Sequence, residues 1–401
     1  MLIPLKEALR IVLTAVRPLT PRRSALGDAL GLRLAEDVRA DRDQPPTDRS
    51  AMDGYAVIAA DAARPPARLR LVGEMAAGGR GRVHVRPGTC AAVWTGARMP
   101  AGADAVVPLE DAAREGDAVV VRVTPRPGAS VRKRGEEARR GDVLLAKGCR
   151  LGPAGIGVAA MVGKKAVRVH PWPRVAVLCT GAELRDVGES VGPEQLRDSN
   201  GPTLVAALAA QGIADVVRAI LPDDPRAIVD SLRIALNARD LVILSGGVSV
   251  GRYDFVAEAV RQSGGKVRFH GVRIKPGKPT LYATLSGNRH VFGLPGNPLS
   301  LLAGFYEFAL PAVRRLGGTP ATECRPTSRR RLVAPVRAKG ERTSLVLVRR
   351  VETPDGPAAA PVASAGSADL VAACQADGMI VVPAGSGELP AGEMVEFHAW
   401  K

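Results

Sequence analysis

The spacing of apolar positions changes character several times along the chain. Residues 4–16 place Leu5, Leu9, Val12, Leu13 and Val16 on one face of a helix, which Pro18 and Pro21 end. Ala25 to Val38 keeps neither period and reads as irregular, extended chain. Short apolar runs then alternate with turns. Leu69–Val72, Cys90–Trp94, Ala105–Val107 and Ala118–Val123 predict a small β domain, with Gly78, Gly79 and Gly81 supplying turn freedom. Gly155-Ile-Gly157-Val-Ala-Ala160 matches a dinucleotide fingerprint in form only. No strand precedes it and no acidic residue follows at the right distance, so a closely packing small-residue helix is expected instead.

Pro171 and Pro173 mark a boundary, after which strand and helix patterns alternate. Val175–Leu178, Val216–Leu221 and Leu241–Leu244 read as strands, Gly201–Gln211 and Pro225–Leu236 as helices, which together predict an α/β sheet. The unbroken run Leu241–Leu244 reads as a strand buried on both faces. It feeds the loop Ser245-Gly246-Gly247-Val-Ser249-Val-Gly251, and Asp254 stands just before a helix starting near Val256. A long apolar helix is expected over Leu299–Leu316, with Pro298 at its first position. Beyond Gly317-Gly318 the chain turns basic and β-like. Ser344–Val348, Met379–Val382 and Met394–Phe397 predict strands of a small barrel, and Ala358-Ala-Ala-Pro361 reads as a loop.

Composition narrows the function classes. A chain of 401 residues implies two to four domains, and its 46% apolar content is enough for sizeable cores. No apolar run approaches a membrane span, and the N-terminus lacks the features of a signal peptide. The cysteines Cys90, Cys149, Cys179, Cys324 and Cys374 are scattered singly, so neither a zinc site nor a disulfide framework is expected, and a cytoplasmic location is. The net charge of +16 would suit a polyanionic partner, but arginine is spread along the whole chain and aromatics are only 3%. No nucleic acid and no membrane partner is expected; a phosphorylated small molecule fits the same charge.

The chemistry-bearing residues gather at predicted strand ends: Thr180-Gly181-Ala-Glu183, Asp223-Asp224, and Ser245-Gly246-Gly247. Ligands of open α/β sheets sit at these ends, where bare N–H groups can wrap a phosphate. Glu183, Asp223 and Asp254 are therefore expected in one crevice facing Lys275 and Lys278, as a metal–phosphate site. Magnesium is commonly held by one or two carboxylates plus substrate phosphates. The bland alternative for Asp254 is a helix cap. Gly293-Leu-Pro295-Gly296-Asn297-Pro298 is a glycine turn feeding a helix N-terminus near two lysines in sequence, which predicts an anion site. Val131-Arg-Lys-Arg-Gly-Glu-Glu137 reads as a solvated basic face whose two carboxylates could also meet a metal. Asp53-Gly54 reads as turn chemistry.

Six stretches, taken together and in order, resemble the MoeA/gephyrin E-domain family of molybdopterin molybdenumtransferases over essentially the whole chain. They are Ser50-Ala-Met-Asp-Gly-Tyr-Ala, Trp94-Thr-Gly-Ala with Ala101-Gly-Ala-Asp-Ala-Val-Val107, Arg134-Gly-Glu-Glu137, Ser245-Gly-Gly-Val-Ser-Val-Gly251, Lys275-Pro-Gly-Lys-Pro279 and Gly293-Leu-Pro-Gly-Asn-Pro298. The strand-end loops also resemble the smaller MogA-like adenylyltransferases. The resemblance implies an extended linker domain (1–40 and 132–170), an inserted β domain (41–131), a MogA-like α/β domain with a mostly parallel sheet (171–318) and a C-terminal β barrel (319–401).

It further implies an elongated homodimer that takes adenylylated molybdopterin and molybdate, uses magnesium and releases AMP. The MogA-like adenylyltransferase and molybdoenzyme maturation proteins are the implied partners. Family functional positions fall on Asp53, Thr95, Glu183, Asp223, Asp254, Lys275, Pro295 and Pro298, with Asp53 serving the partner subunit's crevice; Lys278 joins the catalytic set. Gly181, Ser245, Gly246, Gly247, Ser249, Gly251, Gly296 and Asn297 are expected on substrate, and Asp223, Asp254 and Glu137 on metal. Ser367 matches a serine of the C-terminal domain. Two departures stand out. Glu137 replaces an aspartate, and Gly271 stands where some members carry a lysine, a charge that Arg273 could replace. A pterin-binding scaffold without turnover and a binder of anionic polymers are the competing readings.

Overall fold

The computed structural model describes residues 2–79, 81–248, 255–338 and 340–400. It divides into two compact units: Met1–Ser24, Gly31–Ala35 and Arg168–Lys401 form one, Ala25–Leu30 and Glu36–Val167 the other. Ser249, Gly251 and Asp254, all expected in the site, lie outside the described residues.

The second unit is built on a six-stranded sheet of β1 (Gly54–Val57), β2 (Ala67–Met75), β3 (Thr89–Val93), β4 (Ala105–Pro108), β5 (Ala112–Glu115) and β6 (Ala118–Val121), in the order β4-β1-β3-β2-β6-β5. Only β2 and β3 pair in parallel. Tyr55, Val57, Leu69, Cys90, Val107 and Val119 alternate inward to form its core. The four strands expected from alternation are all present, and β1 and β5 join them. The rejected dinucleotide fingerprint is a helix, Pro153–Met161. Its close packing is limited: a Cβ on Gly155 would lie 3.3 Å from Leu151, whereas Gly157 faces open space.

In the first unit, a central six-stranded sheet uses β7 (Val175–Thr180), β10 (Val216–Leu221), β11 (Leu241–Ser245), β12 (Lys266–His270), β14 (Leu281–Leu285) and β15 (Arg289–Leu294), in the order β10-β7-β11-β15-β14-β12. The first four pair in parallel, and β14 pairs antiparallel with both β15 and β12, so it alone runs in the opposite direction. A short parallel pair, β8 (Leu184–Arg185) and β9 (Leu196–Arg197), rises from the end of β7. Every residue of β7 and β11 is buried, because both faces are covered. On one face Val175, Val177 and Ile243 pack with α1 (Leu5–Ala15), α2 (Asn200–Ala209) and the Pro298–Leu316 helix. On the other, Ala176, Leu178 and Val242 pack with α3 (Pro225–Ala238) and α4 (Phe255–Gln262).

The expected apolar helix forms in three pieces, α5 (Pro298–Gly304), a π turn (Phe305–Ala309) and α6 (Leu310–Leu316). The π turn carries Glu307, only 1% exposed. Its carboxylate accepts from Arg325 at 2.5 Å and pairs with His398 Nδ1 at 2.6 Å. Burial pushes the Glu307 carboxyl upward, but the hydrogen bond and charge of His398 and the Arg325 guanidinium outweigh it and hold it below its ordinary value.

The C-terminal strands β16 (Ser328–Leu332), β17 (Thr343–Thr353), β18 (Gly356–Pro361), β19 (Gly378–Val382) and β20 (Met394–Ala399) close into a barrel in the cyclic order β17-β18-β16-β20-β19. The short β13 (Ile274–Lys275) joins β17 in parallel and ties the lysine turn to the barrel. The expected loop at Ala358–Pro361 is a correction: it belongs to β18. Alanine carries little strand propensity, but Ala358 and Ala359 are 0% and 1% exposed, and their small size suits a crowded interior.

Candidate functional site

An open cavity of about 860 Å³ lies at the carboxyl ends of β7, β10, β11 and β15. Gly181, Glu183, Asp223, Ser245, Gly246, Gly247, Pro295, Gly296, Asn297 and Pro298 line it. One glycine here is demanded by close approach to backbone. Gly246 has φ +91°, and a Cβ there would sit 2.5 Å from the Thr180 carbonyl oxygen. A Cβ on Gly181 would sit 2.8 Å from the Glu183 carboxylate, which folds back over it. Asp224 caps α3 by accepting from the Ala227 N–H at 2.7 Å. That leaves its neighbour Asp223 in the crevice, accepting the Ala182 N–H at 3.1 Å.

Lys275 and Lys278 do not face these carboxylates. They line a second cavity of about 760 Å³, together with Arg337, Arg342, Ser300 and Ser367. No carboxylate lines it among the described residues. The two cavities share Pro279, Pro295 and Asn297, so one turn forms a wall of each. Arg273 lines neither, and the extra cations are Arg337 and Arg342. Gly271 has φ +101°, a left-handed conformation in which a longer side chain would be strained.

The anion site expected at the start of the Pro298 helix is not built from its backbone. The Leu299 N–H donates to the Ser367 carbonyl at 3.0 Å, and Asn297 Nδ2 donates to Ser367 Oγ at 2.9 Å. Ser367, matched to the family by sequence, thus clasps the shared turn from the barrel side and occupies the donor that an anion would need.

In the second unit, a Cβ on Gly54 would collide with the Val107 carbonyl, so only glycine allows the β1–β4 approach that places Asp53. One Asp53 oxygen accepts both the Thr95 N–H and the Thr95 hydroxyl, each at 2.7 Å. The Thr95 N–H first and its hydroxyl second hold the Asp53 carboxyl below its ordinary value. Both residues are exposed. Glu137 shares a 320 Å³ cavity with Thr95, but its carboxylate is paired with Arg132.

Asn200 escaped the sequence reading. Its Nδ2 donates to Ser245 Oγ at 2.8 Å and to the Gly296 carbonyl at 2.7 Å, bridging two glycine loops of the crevice. Arg197 and Arg342 were missed as well. The available signal was Arg197-Asp-Ser-Asn200 standing between the end of β7 and a helix start, a position where α/β folds place ligand contacts.

Among the described residues, no group of three or more His, Cys, Asp or Glu is arranged to hold a metal ion. Glu183 and Asp223 nevertheless fit magnesium by donor type, since it needs only one or two carboxylates when substrate phosphates complete the shell.

A mostly parallel sheet with its ligand crevice at the strand ends, a closed barrel and a separate β unit define a multidomain α/β protein with a ligand site of the doubly wound kind. The comparisons give that class a family. The profile of the MoeA N-terminal region (domain I and II) matches residues 3–163, that of a probable molybdopterin binding domain residues 176–315, and that of the MoeA C-terminal region (domain IV) residues 329–400. A molybdopterin molybdenumtransferase of Staphylococcus aureus is 31% identical over 98% of this chain and 95% of its own. One from Nostoc sp. is 38% identical over 72% of this chain and 68% of its own. The crystal structure of a molybdopterin biosynthesis MoeA protein from Pyrococcus horikoshii superposes with a TM-score of 0.83 at 29% identity, covering 100% of both chains. The chain belongs to the molybdopterin molybdenumtransferase family, whose enzymes serve molybdenum cofactor biosynthesis.

Proposed function

We propose that the chain inserts molybdenum from molybdate into adenylylated molybdopterin, with magnesium-dependent release of AMP, as a cytoplasmic homodimer of four-domain subunits. One observation carries the reading: two cavities of opposite lining share the Pro295–Asn297 turn. The carboxylate-lined crevice suits a diphosphate with its metal, and the cation-lined cavity suits a bare oxyanion such as molybdate. Splitting a diphosphate link calls for charge neutralisation more than for a nucleophilic side chain. Magnesium, when bound, supplies that neutralisation at the phosphate oxygens. Glu183 and Asp223 hold it, and Gly246 and Gly247 let backbone approach the substrate without a Cβ in the way. Lys275, Lys278 and Arg342 orient the molybdate, and Asn297 and Pro295 set the wall between the two reactants.

Asp53, fixed by Thr95, acts on the partner subunit's substrate in this reading, and the MogA-like adenylyltransferase supplies that substrate. Incubation with adenylylated molybdopterin, magnesium and molybdate tests the reaction. AMP release together with molybdenum on the pterin dithiolene is expected. Tight pterin binding with no AMP would leave a scaffold in its place. Asp53→Ala and Glu183→Ala chains, each inactive alone, should regain part of the activity as mixed dimers, because one composite site then carries neither change. Subunit exchange without recovery would rule out the shared site.

A further inference from the structure

We propose that Arg197 is a phosphate-binding residue of the acidic crevice, gripping the diphosphate of the substrate opposite Glu183 and Asp223. The inference rests on the functional reading above. It starts from a mismatch of charge. Glu183 and Asp223 both line the crevice, and a diphosphate brings further negative charge to it. The lysines expected to offset that charge lie in the neighbouring cavity. Among the described residues lining the crevice, Arg197 is the only cation.

Its surroundings hold it ready. Arg197 pairs with Arg185 across β8 and β9, and the Leu196 N–H donates to the Glu183 carbonyl at 2.9 Å. Arg197 and Glu183 are therefore built into one frame. The frame is pinned below by Asp198, 1% exposed, which accepts from Arg218 at 2.8 Å and from the Gly201 N–H at 2.8 Å. Asp198 is thereby neutralised and does not compete for Arg197. Arg185 is no rival for the ligand, since it donates to the Ala182 and Leu184 carbonyls.

The Arg197 Nε donates to the Glu189 carbonyl at 2.9 Å, which orients the guanidinium plane, and among the described residues nothing takes its terminal amino groups, which leaves them for a ligand. A planar fork with free ends matches two phosphate oxygens at once, which an ammonium cannot do. Ser199, two residues on, also lines the crevice and makes no capping bond with its side chain, so the same cavity offers a hydroxyl as a second donor.

The test is titration calorimetry of the full chain with inorganic pyrophosphate and with AMP, each in the presence of magnesium. Arg197→Gln should weaken both by about 10- to 100-fold, the loss of a charge-assisted double hydrogen bond. Arg197→Lys should recover only part, because it restores charge without the fork. Adenosine, which lacks phosphate, should bind the variants and the parent chain alike. The residue is exposed, so unfolding temperatures should not move. If Arg197→Gln binds pyrophosphate and AMP as the parent does, the proposal is overturned while the proposed reaction stands. If the parent chain itself binds neither, the phosphate reading of the crevice falls, and this proposal with it.

Discussion

The two cavities on either side of the Pro295–Asn297 turn differ in how their charge is arranged. The crevice at the strand ends carries Glu183 and Asp223 on loops whose glycines let backbone come close, and its one described cation is Arg197. The cavity toward the barrel carries Lys275, Lys278, Arg337 and Arg342 and no described carboxylate. Carboxylates attract a metal, and a metal brings phosphate; a cationic cavity receives an oxyanion directly. Merged, the two sets would neutralise each other as ion pairs. Kept apart by one turn, each retains its charge, which the proposed reaction would use for a different reactant.

The largest effect should come from emptying the acidic side. Glu183→Gln or Asp223→Asn should cut AMP release at limiting magnesium by about 100-fold or more, the usual scale for losing a preorganised electrostatic group. Excess magnesium should restore part of it, and the molybdate dependence should stay as it was. Unaltered turnover at limiting magnesium would remove these carboxylates from the metal site.

Loosening the barrel should strike the cationic side first. Glu307 ties the π turn to β20 through His398 and to the chain entering the barrel through Arg325. Glu307→Gln should cost about 3 kcal/mol, because it leaves the buried Arg325 guanidinium without its charge partner. The carboxyl is held below its ordinary value, so its contribution is complete above the unfolded carboxyl pKa of about 4.3. It is lost as pH falls through the folded value. Thermal unfolding at pH 7 and at about pH 2 should therefore separate the parent and Glu307→Gln at the higher pH and draw them together at the lower. An equal gap at both would sink the charge role.

Removing one cation tests the other half directly. Lys275→Ala should raise the molybdate concentration needed for half-maximal turnover by about 10-fold at low salt, with a smaller rise at high salt, where screening already weakens the contact. The magnesium dependence should not change. A rise equal at all salt concentrations would point to shape rather than charge.

The smallest effect should come from the wall itself. Ser367→Ala removes the acceptor of the Asn297 amide, whose bond measures 2.9 Å, while keeping the backbone carbonyl that caps Leu299. It should cost about 1 kcal/mol and shift the magnesium and the molybdate dependence together. A shift in only one would show that the wall belongs to that cavity alone.

Much of this was legible in the sequence, for local reasons. Unbroken apolar runs marked β7 and β11, because strands covered on both faces need no alternation. The glycine loops after them followed from turn chemistry, and strand ends are where such sheets hold ligands. The strands β12, β14 and β15 were not read, since runs such as Arg289-His-Val-Phe-Gly-Leu294 mix polar starts with glycine and take their strand form from pairing. β18 was read as a loop for the same reason.

Sequence by itself also determined which charges the chain owns in and beside these loops: Glu183, Asp223, Lys275 and Lys278. Only the tertiary structure decided which of them meet. β13 pairs with β17, and that pairing carries the lysine turn to the barrel and away from the carboxylates. Ser367, brought back by the barrel, takes the helix N–H that had looked free for an anion. Spacing along a chain fixes local geometry within a few residues; which side of a turn a charge ends on depends on pairings between segments far apart in sequence, and no local pattern encodes that.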